Sequence, residues 1–156
     1  MYFCKCKKKM ILTRNEFFDG MIHFKSDSIK KLTYQLNHLQ KIIDDWTIGE
    51  EQNLFSFIFH FLKGNEKSKY LSTFQVVKFL QNVKDFGDYY YLNSFIEFLN
   101  SEKRIGINLD QFKLFVNFSY YIKPDLSNYS ITDGWPILYD DFVSFLKKKT
   151  EMEIFE

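Results

Sequence analysis

The stretch Asn108-Leu109-Asp110-Gln111-Phe112-Lys113-Leu114-Phe115-Val116-Asn117-Phe118-Ser119 decides the fold class. Asn108 followed three residues later by Gln111 is a capping box. Each side chain satisfies a backbone N–H that a helix start leaves without a partner. Phe112, Phe115, Val116 and Ser119 then recur at the three- and four-residue spacing that puts them on one helical face. Pro124 ends this helix or lies just beyond it, because proline cannot donate to a helical ladder.

The same grammar repeats upstream. Thr13 and Glu16 form a capping box, followed by Phe17, Met21 and Phe24 with Gly20 on their face. A glycine there is expected to admit another helix closely. A second helix starts near Asp27 or Ser28 and carries Ile29, Leu32, Leu36, Leu39, Ile43 and Trp46 over five turns. Thr47 to Asn53 reads as a polar break. The third helix has Leu54, Phe57, Ile58, Phe61 and Leu62 on one stripe and Phe55 and Phe59 on another. Apolar on two faces, it is expected to be central and buried, with Gly64 as its stop. Ser72 caps a helix bearing Val76, Phe79, Leu80 and Val83. A turn over Asp85 to Asp88 leads to the stripe Leu92, Phe95, Ile96, Leu99.

Downstream, Asp125 to Thr132 is a loop of turn-forming residues. Asp133 is the expected cap of the last helix, with Pro136 in its first turn, where a missing N–H is harmless. Leu138, Phe142, Phe145 and Leu146 are expected to face inward. Lys147, Lys148 and Lys149 are expected at its C-terminal end, where the helix dipole favours cations. Only Lys9 to Leu12 has an extended character. Seven helices and almost no strand signal predict an all-α fold. There is no repeat of fixed period and no linker for a second domain.

Composition excludes several function classes. At 156 residues, one domain is the default, and its length suffices for a core without disulfide or metal staples. A 46% hydrophobic and 26% charged chain is globular rather than disordered. No apolar run approaches the roughly eighteen residues of a membrane span, and no secretory signal is visible. A net charge of +1 supplies no global field for nucleic acid or a membrane surface, so neither is expected as a partner. There is no alanine, and two arginines stand against nineteen lysines. The depleted residues have GC-rich codons. The 19 phenylalanines therefore read as codon drift rather than as an aromatic binding surface.

Catalytic and metal signatures do not assemble. Cys4 and Cys6 are spaced C-x-C, and His23, His38 and His60 are scattered, so no four-ligand zinc set forms. Lys5, Lys7, Lys8 and Lys9 could lower a thiol pKa. No base or orienting partner for a nucleophile can be named. The thiols read as ordinary reduced cysteines of a cytoplasmic or nuclear protein. Phosphate-binding glycine loops, H-E-x-x-H and G-x-S-x-G are absent. No loop has the oxygen ligands of a calcium-binding helix pair. No cofactor and no metal are expected.

One constellation is more specific. Gly134-Trp135-Pro136-Ile137-Leu138-Tyr139-Asp140-Asp141-Phe142 reads G-W-P-x-L-x-D-D-F and resembles the C-terminal signature of the defective-in-cullin-neddylation family. Glu16-Phe17-Phe18-Asp19-Gly20-Met21 resembles its E-F-x-x-G-M segment. Asp27-Ser28-Ile29-Lys30-Lys31-Leu32 resembles its D-S-I-x-K-L helix start, and Asp110-Gln111-Phe112-Lys113-Leu114 its D-x-[WF]-x-L helix. The four fall in family order from about residue 10 to residue 146.

The resemblance implies a potentiating-neddylation domain over residues 1–156, built from EF-hand-like helix pairs without calcium. It also implies that the family's first helix and its optional ubiquitin-binding domain have no counterpart here. The implied role is non-catalytic: holding a cullin C-terminal domain and the neddylation conjugating enzyme together, with the cullin RING subunit as a further partner. The family's cullin-facing patch maps onto Asp110, Gly134 and Asp140, with alanine the common family residue where Gly134 stands. Trp135, Pro136 and Phe142 map as structural signature residues: Trp135 to lock the last helix onto the bundle and Pro136 to fix its entry. Asp141 reads as a second patch acid or, preferably, a helix-surface charge. Leu12 and Phe61 map onto a pocket for the acetylated N-terminal methionine of the conjugating enzyme, with plain core packing as the competing reading. Lys9 stands where a polar uncharged pocket-rim residue is usual. Two other readings stay open: a helical adaptor that has lost the cullin, and an enzyme using Cys4 or Cys6. A calcium sensor ranks behind both.

Overall fold

The computed structural model describes residues 2–7, 11–38, 47–64, 67–83, 89–102 and 106–154, less the side chains of Val83, Glu153 and Ile154. It is helical, with seven α-helices and one two-stranded ladder among those residues. They divide into two compact units, residues 1–69 and 70–156. The Leu39, Ile43 and Trp46 part of the second helical stripe, the turn over Asp85 to Asp88 and Lys9 lie outside the described residues.

The first unit contains α1 (Arg14–His23), α2 (Ile29–Asn37) and α3 (Ile48–Lys63). Thr13 and Glu16 make the expected capping box, and Ser28 caps α2. The segment from Thr47 is no break: Thr47 and Glu50 form a second T-x-x-E box, and α3 starts at Ile48. Its inward face is Glu51, Phe55 and Phe59, all buried, whereas the stripe of Phe57, Ile58, Phe61 and Leu62 is only half-buried. Burial thus picks out the narrower of the two apolar stripes. Gly20 is buried, but its close neighbour is Cys4 Sγ, not another helix. Residues 2–7 lie against α1. Phe3 stacks on His23 at 4.7 Å, and the Lys7 N–H donates to Glu16 Oε1 at 2.9 Å.

The second unit runs β1 (Tyr70–Ser72), α4 (Thr73–Val83), α5 (Leu92–Ser101), β2 (Gly106–Asn108), α6 (Leu109–Tyr121), a 3-10 turn (Ile131–Asp133) and α7 (Ile137–Ile154). β1 and β2 pair antiparallel, Tyr70 opposite Asn108 and Ser72 opposite Gly106. Each strand leads directly into a helix through a capping box: Ser72 with Gln75, Asn108 with Gln111. Gly106 permits the approach, because a side chain there would collide with the Leu71 carbonyl oxygen. This ladder was not expected from the sequence; of the extended piece anticipated at Lys9 to Leu12, only Ile11 and Leu12 are described, and Ile11 forms a β-bridge.

α5, α6 and α7 close over an interior of rings. Phe95, Phe98, Phe115, Phe118, Tyr139 and Phe142 are each no more than 2% exposed. Phe118 meets Tyr139 at 5.0 Å and Phe142 at 5.5 Å, and Phe95 meets Phe142 edge-on at 5.0 Å. Offset and edge-on geometries of this kind add to the area that the rings bury. Tyr139 is fully buried, so its hydroxyl requires a partner. It donates to the Gln111 carbonyl at 2.7 Å.

Two expectations for α7 change. Asp133 lies in the 3-10 turn, and Pro136 precedes the helix, its carbonyl accepting from the Tyr139 N–H at 2.8 Å. The lysine run is not at the helix end, because α7 continues to Ile154. Lys149 instead pairs with Glu97 of α5 at 2.6 Å. Among the described residues no helix is long and apolar enough to cross a membrane.

Tyr139→Phe keeps the ring and removes one buried hydrogen bond. It should lower unfolding free energy by about 1 kcal/mol, and Tyr139→Ala by about 3–5 kcal/mol. Urea titration followed by circular dichroism measures both. Equal stability of Tyr139→Phe and wild type would remove the hydroxyl from the account.

Candidate functional site

Asp110 and Asp140 each occupy the first turn of a helix, α6 and α7, where the helix dipole favours negative charge. The Tyr139–Gln111 hydrogen bond ties these two first turns together. Asp110 immediately precedes Gln111, and Asp140 immediately follows Tyr139, so one bond ties the residues beside both acids. Asp110 is exposed. Asp140, mapped to the same patch, is half-buried, and its Oδ1 accepts from the Tyr129 hydroxyl.

Tyr129 has no local sequence signature, and its segment reads as a loop of turn-formers. Its ring stacks with Trp135 at 6.5 Å and tilts against Phe118 at 6.1 Å. Burial pushes its hydroxyl pKa up, and the Asp140 carboxylate, followed by the charges of Asp133 and Asp141, pushes it further. The phenol therefore stays protonated and donating. The charges of Asp133 and Asp141 reach this corner although Asp133 was expected only as a cap.

Gly134 turns the chain between the 3-10 turn and α7 in a left-handed conformation, φ 75° and ψ 20°, with open space where a side chain would stand. Its smallness is thus a matter of backbone shape rather than of room. Trp135 follows, its ring 5.5 Å from Phe118 and 5.7 Å from Tyr139. Phe142, one turn into α7, is fully buried.

In the first unit, an apolar cavity of about 260 Å³ lies between Phe3 and Cys4 and side chains of α1 and α2. Leu12 borders it with Phe3, Cys4, Phe17, Met21 and Phe24. Phe61 does not; it stacks on Phe57 at 5.6 Å, and Phe57 meets Tyr2 at 5.3 Å. The two mapped pocket residues therefore do not share this cavity.

Cys6 is buried, and desolvation raises its thiol pKa, the reverse of the lowering that nearby lysines suggested. Glu16, which accepts from the Thr13 and Lys7 backbone N–H groups, has its carboxyl held below the ordinary value by those bonds. Among the described residues no three His, Cys, Asp or Glu side chains are placed to hold a metal ion.

These features describe a helical protein with an apolar cavity in one unit and an acidic corner on two helix starts in the other. The defining pattern of the family described as Cullin binding matches residues 29–145, and the chain belongs to that family. DCN1-like protein 3 of Xenopus laevis is 31% identical over 144 residues, covering 90% of this chain and 47% of that protein. DCN1-like protein 4 of Drosophila melanogaster is 28% identical, covering 86% and 53%, and DCN1-like protein 2 of Dictyostelium discoideum is 29% identical, covering 88% and 50%. The chain thus spans about half the length of these curated relatives.

Gly134→Ala tests the left-handed corner. The strain of a Cβ at positive φ should cost about 1–2 kcal/mol, read as a lower urea midpoint at unchanged slope. An unaltered midpoint would show that the corner relaxes freely.

Proposed function

We propose that the chain is a scaffold-type neddylation factor. It binds a cullin C-terminal domain through Asp110, Gly134 and Asp140, engages the neddylation conjugating enzyme, and so promotes transfer of the ubiquitin-like modifier to the cullin. The observation that carries this reading is the Tyr139–Gln111 bond, which holds two first-turn acids of separate sequence motifs on adjoining helix starts. Membership in the family described as Cullin binding supports a cullin as the partner of such a surface.

The chain contributes no reacting group in this reading. It acts by proximity and orientation: fixing two reactants in one geometry converts a bimolecular encounter into an effectively unimolecular step. Acids at the helix starts complement basic side chains and set register and encounter rate. The cavity beside Leu12 supplies an apolar receptor of the right chemistry for a capped methionine side chain of the conjugating enzyme. Phe61 belongs to that receptor only if partner binding draws α3 into it. The RING subunit is a further partner in the assembly, which acts in the cytoplasm or nucleus.

Asp110→Arg should weaken binding to a purified cullin C-terminal fragment by more than the tenfold to hundredfold, about 1–3 kcal/mol, expected of an interface alanine substitution. Asp110 is exposed, so the melting curve should stay near wild type. Asp140→Asn, which keeps the side chain's shape, should add to the loss, and both variants should slow cullin modification in a reconstituted reaction. Native affinity in the double variant would replace this reading with that of a helical adaptor lacking the cullin.

A further inference from the structure

We propose that Tyr129 is a positioning residue for partner binding: its phenol holds Asp140 by Oδ1 and presents the second carboxylate oxygen to a basic side chain of the partner. This rests on the reading of Asp140 as a cullin contact and deepens it.

The geometry begins with how the loop before the 3-10 turn is held. The Tyr91 hydroxyl donates to the Lys123 carbonyl at 2.5 Å, and the Lys123 N–H donates to Asn128 Oδ1 at 2.8 Å. Asn128 Nδ2 donates back to the Tyr121 carbonyl at 2.6 Å, and the Tyr129 N–H closes a turn on the Leu126 carbonyl at 3.1 Å. The backbone of Tyr129 is therefore fixed from α6. Its ring packs on Trp135 and on Phe118 of α6. The hydroxyl reaches the acid, donating to Asp140 Oδ1.

Asp140 sits on a helix whose adjacent residue, Tyr139, is buried and bonded, so its backbone has little freedom. The remaining freedom is rotation of a short side chain. A hydrogen bond to one oxygen removes most of it before the partner arrives, and ordering a side chain beforehand spares that loss on association. The nearby charges of Asp133 and Asp141 act on Tyr129 in the same direction as Asp140, favouring its neutral, donating form. They also concentrate negative potential around the free oxygen. A lysine or arginine side chain is the chemistry that such a surface takes.

A double-mutant cycle tests this with the purified cullin C-terminal fragment as probe. Tyr129→Phe preserves the ring contacts and removes only the donor. It should weaken binding roughly threefold to tenfold, the range for loss of one hydrogen bond, while the melting temperature stays close to wild type. In an Asp140→Asn background the same substitution should have no further effect, whereas Asp110→Ala should weaken binding equally with either residue at position 129. An equal loss in both Asp140 backgrounds would overturn the proposal, because the hydroxyl would then act independently of the Asp140 carboxylate. Unchanged binding by Tyr129→Phe while Asp140→Asn is weakened would overturn it and leave the cullin surface intact. Unchanged binding by Asp140→Asn itself would overturn the surface reading and this proposal together.

Discussion

The second unit depends on one buried phenol. Tyr139 lies inside the ring interior of α5, α6 and α7, yet it carries a polar atom that water cannot reach. A buried hydroxyl without a partner costs about 1–3 kcal/mol, and the bond to the Gln111 carbonyl removes that cost. The bond has a geometric result as well. It fixes the rotation of α7 against the first turn of α6, and everything on those two turns follows: Asp110 before the acceptor, Asp140 after the donor, and Trp135 packed over Tyr139. Position on the surface is thus set by satisfaction of a polar group in the core.

The acidic corner is layered around that anchor. Gly134 turns the chain through a left-handed residue, Trp135 and Phe118 form a platform, and Tyr129 rests on it with its hydroxyl on Asp140. Its two acids, Asp110 and Asp140, are carried by helix starts rather than by a loop tip. A surface of this kind suits a scaffold whose contribution is geometry. In the first unit the corresponding clamp is Glu16, whose carboxylate caps α1 and also holds the backbone of Lys7.

Helix starts were the most legible features in the sequence, because a capping box is a local pattern of two residue types at fixed spacing. The boxes at Thr13 and Asn108 and the Ser72 cap were read from it. The Thr47–Glu50 box has the same form, but Glu51, Gln52 and Asn53 follow it and made the segment look like a polar break. The two strands were invisible for a different reason. Each is three residues with one buried position, and each exists only through pairing with a segment more than thirty residues away. The lysine run misled because dipole complementarity says where cations suit a helix, not where that helix ends. Among the site residues, Asp110, Gly134 and Asp140 came from family motifs, whereas Tyr129 had no local signature. Its importance lies in what a stapled loop brings it against.

Three tyrosines of the second unit share a property that reaches beyond binding. Burial raises the hydroxyl pKa of Tyr139 well above 10.0 and that of Tyr91 to about 12, and burial with neighbouring carboxylates raises that of Tyr129. In an unfolded chain all three would ionise near the ordinary value of about 10. The folded unit keeps their protons, so the stability this represents is intact below that pH and is lost as the pH climbs from there through the raised values. Alkali therefore attacks this unit at its phenols: unfolding exposes groups that promptly release protons, and each proton released pulls the equilibrium further from the folded state.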